Sequence, residues 1–129
     1  MTPKEYVENA TRTESSDFPQ IRKQLDRERT LRILHAGMGT VTEAGELMDA
    51  LKKHIFYSKH LDEVNVKEEI GDLFWYIAVL CDSLDVSFEE IWETNIAKLK
   101  ARYGEKFNKK GALERDLEEE RRILEEGEE

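Results

Sequence analysis

A chain of 129 residues can hold one domain with a core and is too short for two; with 38% charged residues and a net charge of -9, it argues against a nucleic-acid backbone as the main partner, because phosphate contacts need a basic surface. A single cysteine, Cys81, excludes an intrachain disulfide. The longest apolar run, Leu73 to Cys81, falls far short of the roughly 20 residues that cross a bilayer, and the polar N-terminal stretch does not read as a signal peptide. The expectation is a soluble, cytoplasmic protein without membrane or nucleic-acid partners.

Residues 1–16 read as an arm, with a short helix followed by a Thr/Ser/Glu-rich stretch. Asp17 and Pro19 mark a helix start, since Asp caps free N–H groups and Pro is tolerated in the first turn. From Gln20 the pattern stays helical to about Tyr57. Leu31, Leu34, Met38, Val41, Gly45 and Met48 recur at spacings of three and four, and this stripe is expected to face a core. On the opposite face His35, Gly39, Glu43, Glu46, Ala50 and Lys53 cluster, so small residues surround two carboxylates. Glycine costs a helix roughly 0.5–1 kcal/mol relative to alanine, so Gly37, Gly39 and Gly45 call for close approach of a helix or ligand.

Residues 54–64 read as a connection whose Phe56 and Tyr57 pack back on the domain. A second helix is expected from Asn65 to Leu84, with Val66, Ile70, Leu73, Ile77, Leu80 and Leu84 as its core stripe and Glu69, Asp72 and Tyr76 on one polar strip. Being apolar around most of its circumference, it should be buried on several sides. Ser87-Phe-Glu-Glu90 is a capping box, and Val86 with Ile91 has the spacing of a hydrophobic staple, so a third helix runs from Ser87 to Tyr103 and stops at Gly104. Phe88, Trp92, Ile96, Leu99 and Tyr103 are assigned to its core face; Asn95, Lys98 and Arg102 form a strip of donors for phosphate oxygens. From Ala112 to Glu129 there are nine acidic and three basic residues. Leu113, Leu117 and Leu124 give this tail a thin apolar edge, so it reads as a helix on a neighbour with a solvated charged face and frayed last residues. The fold class is all-α, a helical bundle over residues 17–110 with an acidic helix or tail over 111–129.

Two acidic pairs stand out, Glu43 with Glu46 and Glu69 with Asp72. Residues i and i+3 share a helix face, so facing helices would gather four carboxylates into one cleft. Like charges at short range oppose each other's ionisation, and a hard divalent cation removes that conflict. Oxygen-only donors suit Mg²⁺, commonly held together with substrate phosphates. The residues alone therefore indicate a Mg²⁺-dependent enzyme acting on a phosphorylated substrate. Around this set, Tyr76 lies one turn beyond Asp72 and overlooks the cleft, Lys53 can reach a phosphate, and His35, Trp75 and Trp92 read first as core residues.

Glu43-x-x-Glu46 followed by Glu69-x-x-Asp72 resembles the motif of the all-α nucleoside triphosphate pyrophosphohydrolases, specifically the MazG-like group. The likeness extends through His35-Ala-Gly-Met-Gly39, Thr42 to Leu47, Lys52 to Tyr57, Glu69 to Tyr76, and Asn95 to Tyr103 with Phe107. It implies cleavage of a nucleoside triphosphate to the monophosphate and pyrophosphate, with Mg²⁺ or Mn²⁺ held by Glu43, Glu46, Glu69 and Asp72. It also implies a homodimer or dimer of dimers with the nucleotide near a subunit interface. On this reading Glu46, with Glu43 beside it, orients or deprotonates the attacking water, Asn95, Lys98 and Arg102 bind the phosphates, and His35, Trp75 and Tyr76 are base-pocket candidates. The role implied is nucleotide-pool cleansing or adjustment, including use by a phage. The alternatives are a dUTPase-like or phosphoribosyl-ATP activity, and a non-enzymatic helical module binding metal structurally. Gly104 replaces a proline common in relatives, and the long acidic tail departs from their pattern.

Overall fold

The computed structural model describes residues 1–126 and contains helices without strands among them: α1 (Pro3–Thr11), α2 (Phe18–Leu25), α3 (Glu28–Tyr57), α4 (Glu63–Leu84), α5 (Phe88–Tyr103), α6 (Lys109–Leu113) and α7 (Leu117–Glu126). Residues 127–129, the end of the acidic tail, lie outside the described residues. Among the described residues no helix is long and apolar enough to cross a membrane. The arm contains α1, opened by a Thr2/Glu5 capping box and exposed along its length.

The expected continuous helix from Gln20 breaks once. Asp26 ends α2, and Arg27 is extended at φ -87°, ψ 122° with no side-chain cap. The junction Asp26-Arg27-Glu28-Arg29 is entirely charged, so nothing apolar holds one straight rod across it.

The centre of the fold is the antiparallel pair α3 and α4. At its open end Arg29 Nε donates to the Ser83 carbonyl (2.8 Å) and the Arg32 guanidinium pairs with Asp82. At its closed end α3 runs through 54–57 and stops at Ser58 in the left-handed conformation, φ 53°. There the Lys59 N–H donates to the Lys53 carbonyl (3.2 Å) and His54 Nδ1 donates to the Lys59 carbonyl (2.8 Å). Asp62 then caps α4 by accepting from the Asn65 N–H (3.0 Å). The connection is thus shorter than expected, and Phe56 and Tyr57 project outward instead of packing back.

The α3 face turned toward α4 is not the apolar stripe. Ala36 and Ala50 are buried and Thr40, Glu43 and Leu47 half-buried, at alternating spacings of four and three, with Gly39 buried beside Thr40. Leu31, Leu34, Met38, Val41 and Met48, assigned to the core from their period, are instead 45–73% exposed. The reason is steric: small residues let two helices approach closely, and the larger side chains are displaced to the opposite face. On α4 the assigned stripe is rotated, with Val66, Leu73, Ile77 and Leu80 half-buried but Ile70 and Leu84 exposed; Phe74 is exposed too, so α4 is not buried on all sides.

The capping box that opens α5 is formed as read: Glu90 N–H donates to Ser87 Oγ (3.1 Å) and Ser87 N–H to Glu90 Oε2 (2.6 Å). Gly104 ends the helix at φ 65°, a conformation that L side chains rarely adopt. α5 packs chiefly on α7 and α6, so the single chain is a helical hairpin plus a helical C-terminal unit and not a closed bundle. Trp92 and Ile96 are consequently exposed, against expectation, while Phe88, Leu99 and Tyr103 are half-buried.

The tail does lie on a neighbour, but through a charge and not the thin leucine edge; Leu113 and Leu117 are exposed. Glu120 is 5% exposed. It accepts from Arg102 Nε (2.7 Å) on α5 and from Arg115 Nη2 (2.6 Å). These two guanidiniums hold its carboxyl well below the usual range, at about 2. The solvated-face reading of the tail therefore fails at this residue.

Candidate functional site

Midway along the α3–α4 seam, one carboxylate oxygen from each of Glu43, Glu69 and Asp72 lies within 4.8 Å of the other two. Glu43 is half-buried on α3, Glu69 is 3% exposed on α4, and Asp72 sits at the solvent rim one turn further along α4. Asp72 thus faces solvent although its helix is expected to be buried on several sides. Glu46 follows Glu43 by one turn, is exposed, and stands outside the close set while still contributing negative potential to it. Desolvation first, then the charges of Glu46, Glu69 and Asp72 and a carboxyl–carboxyl contact with Glu69, push the Glu43 pKa above its ordinary value. An arrangement of this kind resists ionisation unless a positive charge joins it. The donors are all oxygens on rigid helices, a set suited to a hard divalent cation such as Mg²⁺.

Glu69 is steadied from within its own helix. Asn65, one turn earlier, donates from Nδ2 to Glu69 Oε1 at 2.6 Å. Sequence reasoning missed this residue, although an asparagine four positions before a candidate ligand was a legible signal.

One turn from the carboxylates lies an aromatic group. The Trp75 and Tyr76 rings meet edge-on with centroids 4.9 Å apart, and His35 approaches Tyr76 at 5.9 Å and Trp75 at 6.4 Å. Tyr76 is half-buried over Gly39, which explains that glycine. Gly37 and Gly45 have open space around them in the single chain. His35 is exposed and Trp75 is 55% exposed, so neither is the core residue that the sequence suggests; α5 does not cover this end of the hairpin.

The remaining candidates are dispersed. Lys53 Nζ is 2.7 Å from Asp49, and Lys52 reaches the same carboxyl at 2.5 Å. Together they hold Asp49 down at about 2. On α5 Asn95 is exposed and Lys98 half-buried, whereas the Arg102 guanidinium is engaged by Glu120.

These features define an all-α protein with a carboxylate cluster, suited to a divalent cation, in a helical hairpin. Residues 34–107 match the MazG nucleotide pyrophosphohydrolase domain, and the chain belongs to that family. The Gene 37 protein of Mycobacterium phage L5 is 34% identical over 71 residues, which cover 50% of this chain and 60% of that protein. The chain thus spans less than two thirds of this relative's length. No solved structure matches it.

Proposed function

We infer that the chain hydrolyses a nucleoside or deoxynucleoside triphosphate between the α and β phosphates, releasing the monophosphate and pyrophosphate for nucleotide-pool cleansing or adjustment. The observation that carries this reading is the convergence of Glu43, Glu69 and Asp72 inside a matched MazG nucleotide pyrophosphohydrolase domain. These three residues, with Glu46 at the next turn of α3, would hold Mg²⁺ or Mn²⁺. When bound, a divalent cation there supplies charge neutralisation and orientation for the triphosphate and water.

The chain's own groups do the rest. Glu46 is exposed and outside the close carboxylate set, which suits a base that orients or deprotonates water. Asn95 and Lys98 are the available donors for the phosphate tail, with Arg102 and Lys53 joining if their present carboxylate partners yield. Trp75, with His35 and Tyr76, offers an aromatic surface for the base. Residues 17–110 form the proposed catalytic unit, working in the cytoplasm as a homodimer or homotetramer. Exposure of the apolar α3 stripe and of Trp92 and Ile96 supports assembly, since a single copy leaves these side chains in water.

The test is pyrophosphate release over the eight common ribo- and deoxyribonucleoside triphosphates plus dUTP, with and without Mg²⁺. Metal-dependent release that disappears in Glu46→Gln supports the reading; no release from any of them refutes it for these substrates. Cleavage of dUTP alone, or of phosphoribosyl-ATP alone when it is added to the same panel, would move the assignment to those narrower activities.

A further inference from the structure

Glu69 is the most buried member of the carboxylate set, and among the described residues its carboxylate receives one hydrogen-bond donor, Asn65 Nδ2 at 2.6 Å. Asn65 is itself fixed: it is half-buried, and its backbone N–H is bound by the Asp62 cap at 3.0 Å. A chain of contacts therefore runs from the turn between α3 and α4, through the cap of α4, to one carboxylate at the seam. The chemistry of the donor matters as much as its place. A lysine or arginine at this position would neutralise Glu69 and compete with a cation, whereas a carboxamide restrains the carboxylate and leaves its charge intact.

We propose that Asn65 is a positioning residue for the divalent cation, holding Glu69 in the orientation in which it faces Glu43 and Asp72. This rests on the reading of the carboxylate cluster as a metal centre. Partners that orient a ligand without touching the metal typically contribute about 10–100-fold in metal affinity.

The experiment is Mn²⁺ binding to the full chain without nucleotide, followed by the electron paramagnetic resonance signal of the free ion, for the unsubstituted protein, Asn65→Leu and Asn65→Gln. The leucine is nearly isosteric but cannot donate; the glutamine restores a donor on a longer arm. Asn65→Leu should weaken Mn²⁺ binding by about 10–100-fold with an unchanged helical circular-dichroism spectrum, and Asn65→Gln should recover most of the loss. Should the leucine variant fail to fold, Asn65→Ala takes its place in the same comparison. Binding by the donor-less variant as tight as the unsubstituted protein's overturns the proposal, as does the absence of Mn²⁺ binding to the unsubstituted protein. Mn²⁺ binding that depends on Asn65, in a protein that cleaves no nucleotide, would uphold the positioning role while refuting the hydrolase reading.

Discussion

The ring of Tyr76 rests on Gly39 so closely that a Cβ added at position 39 would lie 2.1 Å from the tyrosine Cε1 and Cζ. This contact joins the two helices one turn from the carboxylates and sets where the aromatic group stands relative to them.

Gly39→Ala should therefore displace Tyr76, with an overpacking cost of about 1–3 kcal/mol that outweighs the helix-propensity gain of up to about 1 kcal/mol. Gly37→Ala and Gly45→Ala, with nothing within 4 Å of the added carbon, should gain stability in the single chain. Urea denaturation of the three variants checks the contrast; equal effects at all three positions would remove the packing explanation.

Because the folded-state pKa of Glu43 is raised, its ionisation opposes folding. The penalty is absent below the unfolded value near 4.5, grows as pH rises toward the folded value, and persists above it. Metal-free protein should lose stability across that window, while Mg²⁺ affinity should increase. Glu43→Gln should raise the melting temperature measured in EDTA at neutral pH and abolish the further increase that Mg²⁺ gives. Thermal melts with EDTA and with Mg²⁺ decide it.

Glu120 has the opposite sign. Its pKa is depressed to about 2 by Arg102 and Arg115, so its stabilising contribution is present above the unfolded value near 4.5 and is lost as pH falls toward 2. Glu120→Gln should loosen α7 from α5 at neutral pH, at far greater cost than removing an exposed pair such as Lys4 with Glu8. Faster amide hydrogen exchange in α5 and α7, with α3 and α4 unaffected, is the expected observation.

The outward stripe of α3 offers the fourth test. Val41→Glu and Met38→Lys lie at positions 73% and 62% exposed, so neither should harm the single chain. If this face joins two copies, each charge should weaken association at least roughly tenfold, since one unpaired buried charge costs several kcal/mol. Sedimentation equilibrium would show it; unchanged association would place the interface elsewhere.

Local chemistry was the legible part of the sequence. The Ser87–Glu90 capping box, Gly104 and the two acidic pairs each announce themselves through a few neighbouring residues, and α5, its end, and the meeting of Glu43, Glu69 and Asp72 follow. The direction in which a helix faces was not legible in the same way. Periodicity finds an apolar stripe but cannot tell a face covered by the same chain from one left bare, and Leu31, Leu34, Met38, Val41 and Met48 were assigned to the wrong side for that reason. Arg102 shows the complementary limit: its spacing from Asn95 and Lys98 points to a strip of donors, but nothing in that local pattern reveals Glu120, eighteen residues away on another helix, as the partner it holds here. Asn65 marks the expected start of the second helix, a position that does not by itself announce a contact with Glu69.

The smallness of the buried set has a thermodynamic consequence. Among the described residues the buried apolar side chains are Ala36, Ala50 and Cys81, and none of the large ones is fully enclosed. A lone copy thus gains little from removing hydrocarbon from water, and its stability should rest heavily on covering what it leaves exposed. In the proposed homo-oligomer folding and association become a single linked equilibrium, and the melting temperature should climb with protein concentration as mass action requires.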